Sequence, residues 1–354
     1  MKLPSHQRAR QTFSDTFERS HGETIAAMDQ GGHDIANQSP RTALTVKRMG
    51  VKRRAIPVQL VDPLGGGQTV HLSSTVDAFV SLGSKRRGIH TSRIGDLLAK
   101  LTGTVHLSLH DYASQVNGLL RATQGSDTAQ VSVHGVFSYL ETVSGVKEKS
   151  SIEHLELFAD ANCTDGRVSL SSGIGFGHMT ACPCVQETYR HSFGPNGSSA
   201  STIPFKKQSP LLTHSQRCQT RLMLCDVNEP PTLRELLACI DEIVVRSQNT
   251  LPREFELLNV HRAHAQPQFL EDVLRDLLPG LHRLVRKCSP QSGGRIEIKS
   301  ASMESIHDFD LEGEIAYSLR ELDRIFAPDP APGAQRGAAR FNLNSSEEVT
   351  TDEH

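Results

Sequence analysis

The stretch Pro63-Leu64-Gly65-Gly66-Gly67 separates two long runs that look extended, Leu44 to Val61 and Gln68 to Leu82. Proline and glycine punctuate chain direction, so the three pieces read as a hairpin. Two helical stretches follow, Ser92 to Leu101 and Tyr112 to Thr123, the second with Val116, Leu119 and Leu120 at helical spacing. Val131 and Val133, and then Leu155 and Leu157, alternate with polar neighbours as half-buried strands do. This half therefore runs strand, strand, helix, helix, strand, strand.

The same order then returns. Arg167 to Phe176 and Ser215 to Val227 look extended, and the latter alternates Cys218, Thr220, Leu222 and Leu224 with Gln219, Arg221, Met223 and Cys225. A long irregular insertion separates them. Thr232 and Glu235 have capping-box spacing at the start of a helix to about Arg246, and Phe269 to Lys287 reads as another. Pro279-Gly280 should kink or divide it. A strand over Arg295 to Ser300 follows, then a final helix with Ile315, Leu319, Leu322 and Phe326 on one face. Antiparallel sheets with paired helices give an α+β fold. The expected division is a poorly ordered tail over 1–40, a first module over 41–163, a second over 164–327, and a disordered tail over 328–354.

Composition narrows the function. With 354 residues, 37% hydrophobic and 22% charged, the chain is an ordinary globular protein with material for two modules. Tryptophan is absent, so the core rests on Leu, Val, Ile and Ala, with Phe for bulk. A formal charge of -2 gives no global attraction to nucleic acid, and the clusters at Lys47 to Arg54 and Lys85 to Arg87 read as solvated loops. Seven cysteines, at 163, 182, 184, 218, 225, 239 and 288, are scattered without a disulfide pattern, so reduced thiols in the cytoplasm are expected. The first forty residues are polar without a signal-type apolar core, and no run approaches the roughly 20 apolar residues of a membrane span. Nucleic-acid and membrane partners are not expected.

Chemistry concentrates at a few points. Cys182 and Cys184 flank Pro183, which makes a disulfide between them geometrically poor. They read either as buried thiols beside a strand end or as a ligand or nucleophile. His214 precedes an alternating strand, where a rigid scaffold presents an imidazole to a metal or simply packs it. Glu304 and His307 lie three apart at a strand end, followed by Asp308 and Asp310, and share a face if helical. Cys, His and Glu suit a borderline divalent metal, which can bring a bound water to hydroxide near neutral pH. Arg87 to Arg93 leads into a helix with Ser92 as a plausible cap, a setting that favours phosphate or merely a capped, solvated helix. Arg217 is a second candidate for an anion.

Taken in order, these stretches resemble one family, the type IB GTP cyclohydrolases, including the archaeal enzymes of that type. The likeness is carried by Gly50-Val51-Lys52, Arg87-Gly88-Ile89-His90-Thr91-Ser92-Arg93, Val143-Ser144-Gly145, Thr180-Ala181-Cys182-Pro183-Cys184, Thr213-His214-Ser215-Gln216-Arg217, Pro267-Gln268-Phe269-Leu270-Glu271-Asp272 and Met303-Glu304-Ser305-Ile306-His307. It runs from about residue 34 to 327. The resemblance implies a tunnelling fold with two ββααββ-type modules per chain and a homotetramer with active sites near subunit interfaces. It also implies a divalent metal, Zn, Mn or Fe(II), and opening of the GTP imidazole ring at C8 with formate release. The product would be a dihydroneopterin phosphate for folate or pterin synthesis.

Carried onto this chain, the resemblance makes Cys182, His214, Glu304 and His307 the metal and catalytic set. His307 or Glu304 would also move protons. His90, Arg93 and Arg217 would meet substrate phosphate or the neighbouring subunit. One segment departs from the family, which usually shows Lys-Arg-Pro-Asp-Glu and then a glutamate that anchors guanine. Here Leu251 to His261 is shorter and lacks that stretch, with His261 near the expected glutamate and Glu254 or Glu256 as substitutes. A carboxylate accepts two hydrogen bonds from the guanine edge, and neutral imidazole does not reproduce that fork. The alternatives are therefore a divergent relative that hydrolyses another purine or pterin compound, and a non-catalytic protein that binds one.

Overall fold

The computed structural model describes residues 34–142, 149–193 and 212–327. Val143-Ser144-Gly145, residues 1–33 of the tail expected over 1–40, and the tail expected over 328–354 lie outside them, while Ile35–Asn37 form a 3-10 turn. The first hairpin is β1, Val46–Val61, against β2, Thr69–Leu82, in antiparallel register from Val46↔Leu82 to Val61↔Thr69. Its turn is closed by Asp62, whose carboxylate accepts from the Leu64 and Gly66 N–H groups, both at 2.9 Å. Gly65 (φ 80°) and Gly67 (φ 70°) supply the left-handed backbone this closure requires.

Helices α1, Thr91–Thr102, and α2, Leu109–Gln124, follow, with the short β3, Val105–His106, between them. α1 buries Ile94, Leu97, Leu98 and Leu101, and α2 buries Tyr112, Val116 and Leu120. Leu119, grouped with them by spacing, is exposed. β4, Ala129–Thr142, and β5, Ser150–Thr164, complete this half, and β5 turns directly into β6, Arg167–Ala181, with Thr164↔Arg167 paired. That join fuses both halves into one sheet.

The second half continues with α3, Pro183–Phe193, in the stretch read from sequence as irregular, then β7, Ser215–Cys225. α4, Leu233–Asp241, carries the expected capping box between Thr232 and Glu235. It stops short of Arg246 because the chain enters β8, Val245–Arg246, which pairs with His178 and Met179 of β6. α5, Arg253–Ala265, buries only Ala263.

α6, Leu270–Cys288, passes through Pro279 without dividing. Loss of a helical hydrogen bond at proline costs about 3 kcal/mol, whereas each fully buried leucine stabilises by roughly 1.5–3 kcal/mol. Leu274, Leu277, Leu278, Leu281 and Val285 form one buried stripe on both sides of the proline, so burial wins. β9, Arg295–Met303, pairs with β10, Leu311–Ser318, and α7, Leu319–Ile325, closes the described chain. The single final helix expected through Ile315 is thus a strand and a helix, joined at a capping box of Ser318 and Glu321.

The sheet has ten strands in the order β10-β9-β7-β6-β5-β4-β2-β1-β3, with β8 beside β6. All described pairings are antiparallel except β1 with β3. Order β1-β2-β4-β5 in one half matches β6-β7-β9-β10 in the other. Among the described residues, no helix is long and apolar enough to cross a membrane.

Candidate functional site

Strand register brings the sequence-predicted donors to one end of the sheet. β6 and β7 pair out to Ala181↔Ser215, and β7 and β9 pair out to Arg217↔Met303. Cys182 lies one residue beyond the end of β6, His214 one before the start of β7, and Glu304 one beyond the end of β9.

Backbone bonds extend the pairing past the strands. Cys182 N–H donates to His214 O at 3.0 Å, and the Thr213 hydroxyl donates to Cys182 O at 2.6 Å. Pro183 then starts α3, at the position where a missing N–H costs nothing. Cys182 is half-buried and Cys184, in the first turn of that helix, is exposed. The two thiols of the motif thus differ in setting, and the buried-pair reading applies to neither.

The β9–β10 connection lies against this pair. His214 Nδ1 is 3.2 Å from Ser305 Oγ, and Glu304 N–H bonds to Asp310 Oδ1 at 3.3 Å, closing the loop from 304 to 310. That segment is bent rather than helical, so Glu304 and His307 do not share a helix face. Ser302 Oγ donates to Glu304 Oε1 at 2.7 Å, while the exposed His307 ring stacks on Phe309 with centroids 5.0 Å apart. Among the described residues, no group of three or more Cys, His, Asp or Glu side chains gathers closely enough to hold an ion. The chain sets the donors side by side without closing them around one point.

The other candidates separate. Arg217 lies at this end, exposed, with Nη2 3.6 Å from Met303 Sδ. His261 is exposed on α5, which is tied to α3 by Gln186 Nε2 donating to His264 O at 2.6 Å. His90 and Arg93 lie at the opposite end of the strands, where β2 gives way to α1. At about 3.3 Å per residue, the 15 residues of β6 put them roughly 50 Å of strand away. There Asp34 approaches both, 3.7 Å from His90 Nδ1 and 3.6 Å from Arg93 Nη2.

Sequence reasoning gave no role to two nearby features. Gln268 N–H donates to Ala181 O at 3.1 Å, so the Pro267 to Asp272 stretch, with Glu271 exposed in the first turn of α6, is fastened beside Cys182. The motif itself was the signal. The second is His178, fully buried on β6, whose Nε2 is 2.8 Å from Thr220 Oγ1 and whose pKa burial pushes down to about 4. Exposed Leu212, Leu257, Leu258, Val260, Ile306 and Phe309 belong to the segments around this end.

Fold and site together define an α+β protein whose two halves share one largely antiparallel sheet and whose Cys182 and His214 are clamped backbone to backbone at adjoining strand ends. A family model described as type I GTP cyclohydrolase folE2 matches residues 33–312, and the chain belongs to that family. Among curated relatives it is similar to GTP cyclohydrolase MptA of Methanothermobacter thermautotrophicus, 29% identical over 319 residues, which cover 82% of this chain and 96% of the relative. The MptA of Thermoplasma acidophilum is 24% identical over 305 residues, covering 82% and 97%. Among solved structures, uricase from Arthrobacter globiformis superposes with a TM-score of 0.43 at 7% identity, over 77% of this chain and 93% of that one. A uricase from Bacillus fastidious gives 0.46 at 8%, over 83% and 99%.

Proposed function

We propose that this protein is a metal-dependent GTP cyclohydrolase that opens the guanine imidazole ring at C8, releases formate and yields a dihydroneopterin phosphate. The observation that carries the reading is the backbone clamp between Cys182 and His214 in a chain of this family. Thiol, imidazole and carboxylate donors fit a borderline divalent ion such as Zn, Mn or Fe(II). Cys182 and His214 would hold it, with Glu304 and His307 on the neighbouring connection as the remaining donors. Bound there, such an ion supplies activation of water near neutral pH.

The chain's own residues do the rest. His307 or Glu304 would take and return protons as C8 leaves as formate. Arg217, at the same end, receives phosphate oxygens. His90 and Arg93 serve this role for a neighbouring copy, since they stand a strand length from Cys182 in their own chain. The exposed apolar side chains around the site support the homotetramer with interfacial sites, because patches of that kind mark contact surfaces.

The test is formate release from GTP by metal-loaded protein, with assembly state followed by light scattering. Formate release from GTP supports the reading. Turnover of another purine or a pterin, with GTP inert, overturns it and favours a divergent relative. The observation behind that second reading is α5, where His261 stands near the position of the family's guanine-anchoring glutamate and the carboxylates Glu254 and Glu256 lie in the first turn instead.

A further inference from the structure

The strand ends that carry the site stand on a buried polar ladder. On β6, β7 and β9, one face holds His178, Thr180, Cys218, Thr220, Ser300 and Ser302, none more than 3% exposed. The matching strands of the first half, β1, β2 and β4, bury Val58, Leu72, Val76, Val133 and Phe137, with Ser74 the polar exception among the described residues. A buried polar group without a partner costs about 1–3 kcal/mol. A concentration of them under one end of one half therefore demands a use.

The ladder has two chains. In the lower one, His178 Nε2 lies 2.8 Å from Thr220 Oγ1, which lies 2.7 Å from Ser300 Oγ. In the upper one, Thr180 Oγ1 is 3.4 Å from Cys218 Sγ, Cys218 stands opposite Ser302 in the β7–β9 register, and Ser302 Oγ donates to Glu304 Oε1 at 2.7 Å. A hydroxyl has one proton, and that of Ser302 is committed to the carboxylate. Burial raises the pKa of the neighbouring Cys218 thiol, so no thiolate competes for that proton.

We propose that Ser302 is a positioning residue, whose buried hydroxyl, held in the β7–β9 register opposite Cys218, fixes the side chain of Glu304 for its work at the site. The inference rests on the role given to Glu304 above. Asp310 holds the backbone N–H of Glu304 from the other side, so the carboxylate and its own backbone are fastened independently.

A double-mutant cycle tests this with two readouts, Mn(II) affinity by calorimetry and formate release from GTP. Ser302→Ala is expected to weaken Mn(II) binding and to lower kcat by about tenfold each, with KM for GTP within about twofold. In a Glu304→Ala background the same change should alter neither. Ser302→Cys, close in size and a weak donor, should recover part of the loss, and it replaces Ser302→Ala in the cycle if the alanine variant melts early. Equal losses in both backgrounds mean a merely structural serine and overturn the proposal, as does an unchanged Mn(II) affinity and kcat in Ser302→Ala. Coupling in the Mn(II) cycle without any formate from wild type would sink the cyclohydrolase reading and leave the positioning role standing.

Discussion

The β1–β2 connection and the β6–β7 connection occupy the same place in the two halves and have opposite uses. In the first, Asp62 and two glycines at positive φ close the chain within residues 62 to 68. In the second, the chain leaves at Cys182, forms α3 and returns at His214, with both ends pinned by backbone bonds. The β9–β10 connection is likewise loaded with Glu304 and His307. Two matching sets of strands thus carry unlike connections: the β1–β2 hairpin is closed by a tight turn, whereas the β6–β7 and β9–β10 connections carry the candidate donors.

Changes at the loaded connections should break this contrast most severely. Cys182→Ala is expected to remove stoichiometric metal and to lower formate release by more than the roughly 10⁴-fold upper range of acid–base effects, read by metal analysis and single-turnover assay. His307→Ala should lower kcat by about 10²–10⁴-fold while the melting temperature holds, because the ring is exposed. A large fall in melting temperature would recast His307 as structural.

The polar ladder should make the second half acid-sensitive. His178 has a folded pKa of about 4 against 6.5 in the unfolded chain, so between those values the unfolded state binds more protons. Its contribution is complete above about pH 6.5 and is lost as pH falls toward 4, on the order of 3 kcal/mol in all. Urea unfolding across that window should show the slope, and His178→Asn should flatten it.

Smaller effects belong to the joints and the plain turn. Arg246, its side chain only 9% exposed, bonds Asp241 at 2.6 Å and Glu141 of β4 at 3.0 Å. Arg246→Ala should destabilise by about 1–3 kcal/mol in chemical unfolding, since both carboxylates keep partial access to water. Gly65→Ala meets no neighbouring atoms and should cost only about 1–2 kcal/mol from the positive φ, with kcat unchanged. A loss of turnover there would erase the division of labour between the halves.

The fold was legible where one residue pattern belonged to one element. Alternation and the Pro-Gly turn gave the first hairpin, and Thr232 with Glu235 gave the start of α4. Ile315, Leu319, Leu322 and Phe326 misled because their helical spacing runs across a strand–helix junction. α3 escaped because Val185 is its main apolar residue in a polar stretch. At the site, Cys182, His214, Glu304 and His307 were visible as local motifs, and the tunnelling fold was what the resemblance to one family implied. Their adjacency was not, because it depends on the registers Ala181↔Ser215 and Arg217↔Met303, which no short window contains. Ser302 and His178 were hidden for the same reason: a serine or histidine in a strand shows its partners only across the sheet.

β6 is held by β7 along one edge and by β5 and then β8 along the other. The strand that delivers Cys182 therefore lies within the sheet, fastened on both sides nearly to its end. Its amides, His178 above all, should exchange with solvent only through the rarest openings of the molecule, while those of edge strand β10 exchange through frequent ones. The thiol thus inherits the slowest clock in the protein, and its position persists through many openings of the rim around it.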